Sequence, residues 1–184
     1  MKKIYFHKIL CIMVVVMCLS LLMSCSAEIG EMTETETELE TVFTDGMGLF
    51  AVISTGSAQF SAENDVEVDG VMYHKVTDTR FPSYQVMRKA LLKYFTEECT
   101  DKIMEQSLYR DIEGKLMVEG EGKGDNRVWS KAKLVEYDKG KNTAWFEVTT
   151  PNSTERYNAE FAVTEERYYI KAVTDTKNQS ALYN

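Results

Sequence analysis

The sequence predicts an α+β domain in which N-terminal helices pack on a curved antiparallel sheet, a plan shared by cystatin-like and nuclear-transport-factor-like folds. Three observations carry that prediction. Apolar residues recur at helical spacing up to about residue 106. Beyond Leu108 the period falls to two, in short runs separated by polar turns. Asp69-Gly70 and Glu113-Gly114 each sit between two β-rich runs, a strong short-range hairpin signal.

The chain opens on Lys2, Lys3 and Lys8, followed by an almost wholly apolar run from Ile9 to Met23. That run closes as Leu22-Met23-Ser24-Cys25, which resembles a bacterial lipobox. The expectation is a signal peptide over residues 1–24 and a lipid on Cys25, which anchors the rest at the extracytoplasmic face of a bacterial membrane. An uncleaved membrane anchor is the alternative, since the run approaches a spanning length. Loss of Lys2, Lys3 and Lys8 takes the formal balance from −8 to −11. So acidic a domain lacks the basic patches that nucleic acid requires, and its field favours a basic protein partner. Of four cysteines, only Cys99 remains beyond the lipidated one, so no disulfide staples the domain.

Residues 25–38 alternate Glu with Thr and carry little apolar surface, which predicts a solvated tether. A single domain is expected over 39–184. Leu39, Val42, Phe43, Met47, Phe50, Ala51 and Ile53 predict a helix from about Leu39 to Phe60, which Gly46 and Gly48 weaken or split. "VEVDGVMYHKV" predicts a hairpin. Tyr84, Met87, Leu91 and Tyr94 form the stripe of an amphipathic helix started by Pro82 and Ser83. A shorter helix follows over Thr100 to Gln106. "LYRDI" and "KLMVE" predict the next hairpin. Further strands are expected over Val128–Tyr137, Thr143–Thr149, Arg156–Val163 and Arg167–Val173.

Chemistry is scarce. His74 and Cys99 formally allow a nucleophilic pair, but nothing orients the imidazole, and Glu98 beside Cys99 disfavours a thiolate. One His and one Cys cannot supply a zinc ligand set. No carboxylate stands in an apolar setting that marks a glycosidase acid. Catalytic residues, metals and cofactors are therefore not expected. "GEGKGD", Gly120 to Asp125, has the glycines of a phosphate cradle but not the context: Lys123 is followed by Gly124-Asp125, and a strand rather than a helix comes next. It reads as a hairpin connection of roughly eight residues, longer than the usual two to five, and such loops commonly carry recognition. Trp129 and Trp145 read first as core, with Trp129 also a candidate contact anchor and Trp145 out of phase with Ala144, Phe146 and Val148.

Five segments occur in a telling order and spacing: "VEVDGVMYHKV", "LLKYFTEE", "EGKLMV", "GKGDNRVWSKAKL" and "NTAWFEVTTP". In these the chain resembles the IseA-type DL-endopeptidase inhibitors, over roughly Val66 to Val173. The resemblance implies an extracytoplasmic protein that is not an enzyme and that restrains a secreted cysteine-type peptidoglycan DL-endopeptidase; a monomer is expected. It further implies a contact region at Glu119, Glu121, Lys123, Asp125, Asn126, Arg127 and Trp129. The lipobox and the Glu/Thr tether depart from the family pattern, whose familiar members carry ordinary secretion signals. A different class of function, a small-ligand-binding envelope lipoprotein, would use a pocket between helices and sheet lined by Tyr84, Tyr94, Tyr109, Tyr168 and Tyr169.

Overall fold

Thr33 opens the first helix with a capping box: its hydroxyl accepts from the Glu36 amide at 3.2 Å, and its own amide donates to the Glu36 carboxylate at 2.8 Å. This occurs in a computed structural model that describes residues 32–120 and 124–183. The signal-like run, Cys25, Glu121 and Lys123 lie outside the described residues. Helix α1 spans Glu34–Ser54. It begins five residues before the expected start, so the end of the expected tether is its first turn, where Glu34 and Glu36 complement the helix dipole. Leu39, Phe43, Met47, Phe50 and Ile53 form its buried stripe, and neither Gly46 nor Gly48 breaks it.

Two antiparallel sheets replace the single curved sheet expected. The first is built from β1 (Phe60–Val68), β2 (Val71–Val76), β3 (Tyr109–Ile112) and β4 (Lys115–Glu119), in the order β1-β2-β4-β3. Both predicted turns are present, and both central residues of each have positive φ: 53° and 82° at Asp69-Gly70, 53° and 76° at Glu113-Gly114. Between the hairpins lie α2 (Tyr84–Leu91), capped by Ser83, and α3 (Glu97–Gln106), capped by Thr96. The helix expected over Thr100 to Gln106 begins three residues earlier, at Glu97. The Thr96 cap places Cys99 in the first turn of α3, buried.

The second sheet comprises β5 (Lys133–Asp138), β6 (Thr143–Thr149), β7 (Thr154–Thr164), β8 (Arg167–Asp175) and β9 (Ser180–Ala181), in chain order. The strand expected from Val128 begins only at Lys133, because Trp129–Lys131 forms a turn of 3-10 helix. That irregular stretch carries no ladder from β4 into β5, which is why the sheets separate.

Helix α1 is the shared layer. Phe43 stacks on Phe146 of β6 at 3.8 Å between centroids, and Glu40 accepts the Leu134 amide of β5 at 2.8 Å. At the other end the Tyr109 hydroxyl accepts from the Ala58 amide at 2.9 Å and reaches the Val52 carbonyl, tying the helix end to the first sheet. The α2–α3 connection joins β8: Ile170 donates to Tyr94 at 2.7 Å and accepts from Thr96 at 3.0 Å.

Candidate functional site

The segment between the two sheets leaves β4 at Glu119, which pairs with Tyr73 and donates its amide to the Leu108 carbonyl at 2.9 Å. Gly120 then turns at φ 50°. Past Gly124 the chain is fastened again where the Val128 amide donates to the Thr149 carbonyl at 2.9 Å. Both roots of the connection are therefore fixed to sheet backbone.

The returning root is built around Asp125. Its Oδ1 accepts from the Arg127 amide at 2.9 Å, an Asx-type turn, and from Arg127 Nη1 at 3.3 Å. Its Oδ2 accepts from the indole Nε1 of Trp129 at 2.7 Å. Arg127 continues to Glu155 of β7, with Nε to Oε2 at 3.0 Å, and the Tyr157 hydroxyl donates to the same carboxylate oxygen. The guanidinium lies 5.6 Å above the Trp129 ring and 5.8 Å from that of Tyr157, within cation–π range. Burial, and then the hydrogen bond to Glu155, push the Tyr157 phenol above its ordinary range, so it stays a donor at any physiological pH.

Trp129 is 3% exposed, tilted against Tyr157 at 5.1 Å and edge-on to Phe43 at 6.1 Å. Its ring packs in the core, and its N–H orients the loop root. Arg127 and the Asp125 carboxylate are likewise committed to the fold, with Asp125 only 9% exposed at its side chain. Asn126 and Gly124 face solvent, while Glu119 is half-buried. Among the described residues of the segment, Asp125, Arg127 and Trp129 form a clamp, and Gly124 and Asn126 are exposed. Glu155 and Tyr157, the far half of the clamp, were not singled out by sequence; nothing local links positions 127 and 155.

Other chemistry-bearing groups lie apart from this clamp. Cys99 is buried, and desolvation pushes its thiol up to about 12, offset only in part by the Tyr183 hydroxyl. His74 on β2 bonds Asp65 at 2.8 Å and stacks on Phe60 at 5.0 Å. Neither arrangement presents an activated nucleophile. The five tyrosines suggested for a ligand pocket are dispersed in role: Tyr109 is fully buried and bonded to backbone, whereas Tyr84, Tyr94 and Tyr168 flank a core filled by α1 side chains. Trp145 lies half-exposed on the face of β6 opposite Ala144, Phe146 and Val148.

A protein-family profile described as IseA DL-endopeptidase inhibitor matches residues 28–174. No curated protein matches the chain.

Proposed function

The chain belongs to the IseA DL-endopeptidase inhibitor family, and from that membership we propose that it is a lipoprotein that docks on a cysteine-type peptidoglycan DL-endopeptidase and limits wall turnover. Cys25 takes the lipid and holds the domain outside the membrane, close to the wall. The domain is an inhibitor rather than an enzyme. Its buried, protonated Cys99 and its structurally engaged His74 offer no catalytic pair, in keeping with that role.

One observation supports the 119–129 segment as the docking element: both of its roots are hydrogen-bonded in place, and Gly124 and Asn126 at the returning root are exposed. A recognition loop held at both ends loses less conformational entropy on binding than a free one. The loop blocks the hydrolase groove from these fixed roots, and Trp129 serves from beneath. An acidic inhibitor meets a basic hydrolase surface quickly at low salt, and added salt slows association.

The test is digestion of purified cell walls by a purified DL-endopeptidase, with and without the full chain. Inhibition that weakens when residues 120–124 are replaced by a two-residue turn supports the proposal. Absence of both inhibition and complex across several such hydrolases at low salt sinks it; full inhibition by the shortened loop moves the contact elsewhere.

A further inference from the structure

A tryptophan outside the core of its own domain needs an explanation, because so large an apolar side chain is normally buried there. Trp145 is one: it lies part-exposed on the outward side of β6 and is neither in the core cluster nor packed against it. Strand register places it in a row that crosses the whole second sheet, Glu136–Trp145–Asn158–Thr174–Ala181. Neighbouring strands lie about 4.8 Å apart, so the row runs about 19 Å. Next to Trp145 in this register are two polar atoms shielded from water, Nδ2 of Asn158 across the strand and Oγ1 of Thr143 two residues back on the same face. Among the described residues neither has a hydrogen-bond partner. Polar atoms hidden from water are nearly always bonded, so these two hold unused hydrogen-bonding capacity beside an aromatic side chain.

The charges around the row cancel. Glu136 pairs with Arg156 at 3.3 Å, a bond that reaches across β6 from β7 to β5. Glu160 pairs with Lys171 and Asp138 with Lys141, each at 3.2 Å, and Glu147 stands between Lys133 and Arg156 in the ladder. In a chain of net charge −8 this face therefore sets each acid against a base, and selects neither a basic nor an acidic partner. We propose that it binds an uncharged oligosaccharide, the N-acetylated amino-sugar strand of the cell wall. A sugar ring lays a flat C–H surface on an indole and carries a rim of groups that both donate and accept. An acetamido carbonyl accepts from Asn158 Nδ2, its N–H donates to Thr143 Oγ1, and ring hydroxyls meet Glu136 and Thr174. The length of the row admits several rings in line. The site lies on the second sheet and is independent of the glycine-rich segment, so it goes beyond the inhibitor reading: it would hold the domain on the polymer that the hydrolase attacks.

The experiment follows the two indole N–H resonances of the full chain as a β-linked N-acetylglucosamine oligomer is added, and then peptide-stripped wall glycan. The Trp145 signal should move and saturate, whereas that of Trp129, 3% exposed, should stay. Trp145→Ala should melt as the parent does and be retained on stripped glycan at least about tenfold more weakly, with Trp145→Tyr between the two. Asn158→Leu should weaken retention as well, and gives a second reading should Trp145→Ala fail to fold. A Trp145 signal that ignores both sugars overturns the proposal. So does one that moves only with a purified hydrolase, with a poly(glycerol phosphate) polyanion, or on concentrating the protein alone, which would assign the face to a protein, a polyanion or a second copy. Retention on glycan by a protein that inhibits no hydrolase upholds this site and sinks the loop reading, so the two fail separately.

Discussion

The indole Nε1 of Trp129 donates to the Asp125 carboxylate at 2.7 Å, and the other oxygen of that carboxylate accepts from the backbone and side chain of Arg127. One acid thus organises four residues of chain. Asp125→Ala leaves a buried indole donor unpartnered, at a cost of about 1–3 kcal/mol in urea denaturation. Combining it with Trp129→Phe, which removes that donor, should cost less than the two changes summed. Strict additivity would show that the bond carries no coupling.

Two glycines of α1 should respond to alanine with opposite signs. At Gly48 a Cβ meets nothing within 4 Å, so Gly48→Ala gains helix propensity and stabilises by about 0.5–1 kcal/mol. At Gly46 a Cβ would lie 2.9 Å from Cδ1 of Ile170 and 3.0 Å from Cβ of Tyr94. Gly46→Ala therefore overpacks the helix against β8 and destabilises by about 1–3 kcal/mol. Thermal melting of the pair decides it.

Cys99 should resist alkylation at pH 8 in the native protein and react once the chain is unfolded, because burial holds its thiol up to about 12 against an ordinary 9.0. The sign for stability follows from that direction. The contribution is complete below about pH 9 and is lost as pH rises toward 12, where unfolding releases a thiolate. Cys99→Ala should flatten part of that alkaline loss in a denaturation series.

Asp78 behaves in the opposite sense. The side-chain hydrogen bonds of Arg80, with Nη2 to Oδ2 at 2.7 Å, hold its carboxyl below the ordinary 3.8. Its contribution is present above that value and is lost as pH falls through the lowered one. Asp78→Asn should cost about 1 kcal/mol at pH 7, and the difference should shrink in acid, read by urea midpoints across pH 2–7.

Cys25→Ser should abolish labelling by fatty acid and release the protein into the medium. Retained label would place the lipid elsewhere, and retained membrane association without label would indicate an uncleaved anchor.

Local rules were readable where neighbours in sequence decide the outcome. Asp69-Gly70 and Glu113-Gly114 turn as written, and the stripe Leu39, Phe43, Met47, Phe50 and Ile53 faces inward as its spacing demands. The Thr33/Glu36 capping box is local too, yet Glu/Thr composition points the other way there, and α1 begins five residues ahead of its apolar stripe. Trp129 shows the limit from the other side. Its place just past a long loop leaves core and contact both open, and only Phe43 and Tyr157, from distant stretches, show how its ring is packed.

The sequence by itself determined the α+β order of elements, the family and the acidic character of the domain, because these follow from periodicity, spaced motifs and summed charge. Only the tertiary structure decided that there are two sheets and that Asp125, Arg127, Glu155 and Tyr157 close into one clamp. Each of these depends on pairings between distant residues. Chain composition does not encode such pairings locally; packing selects them when α1 settles between the sheets.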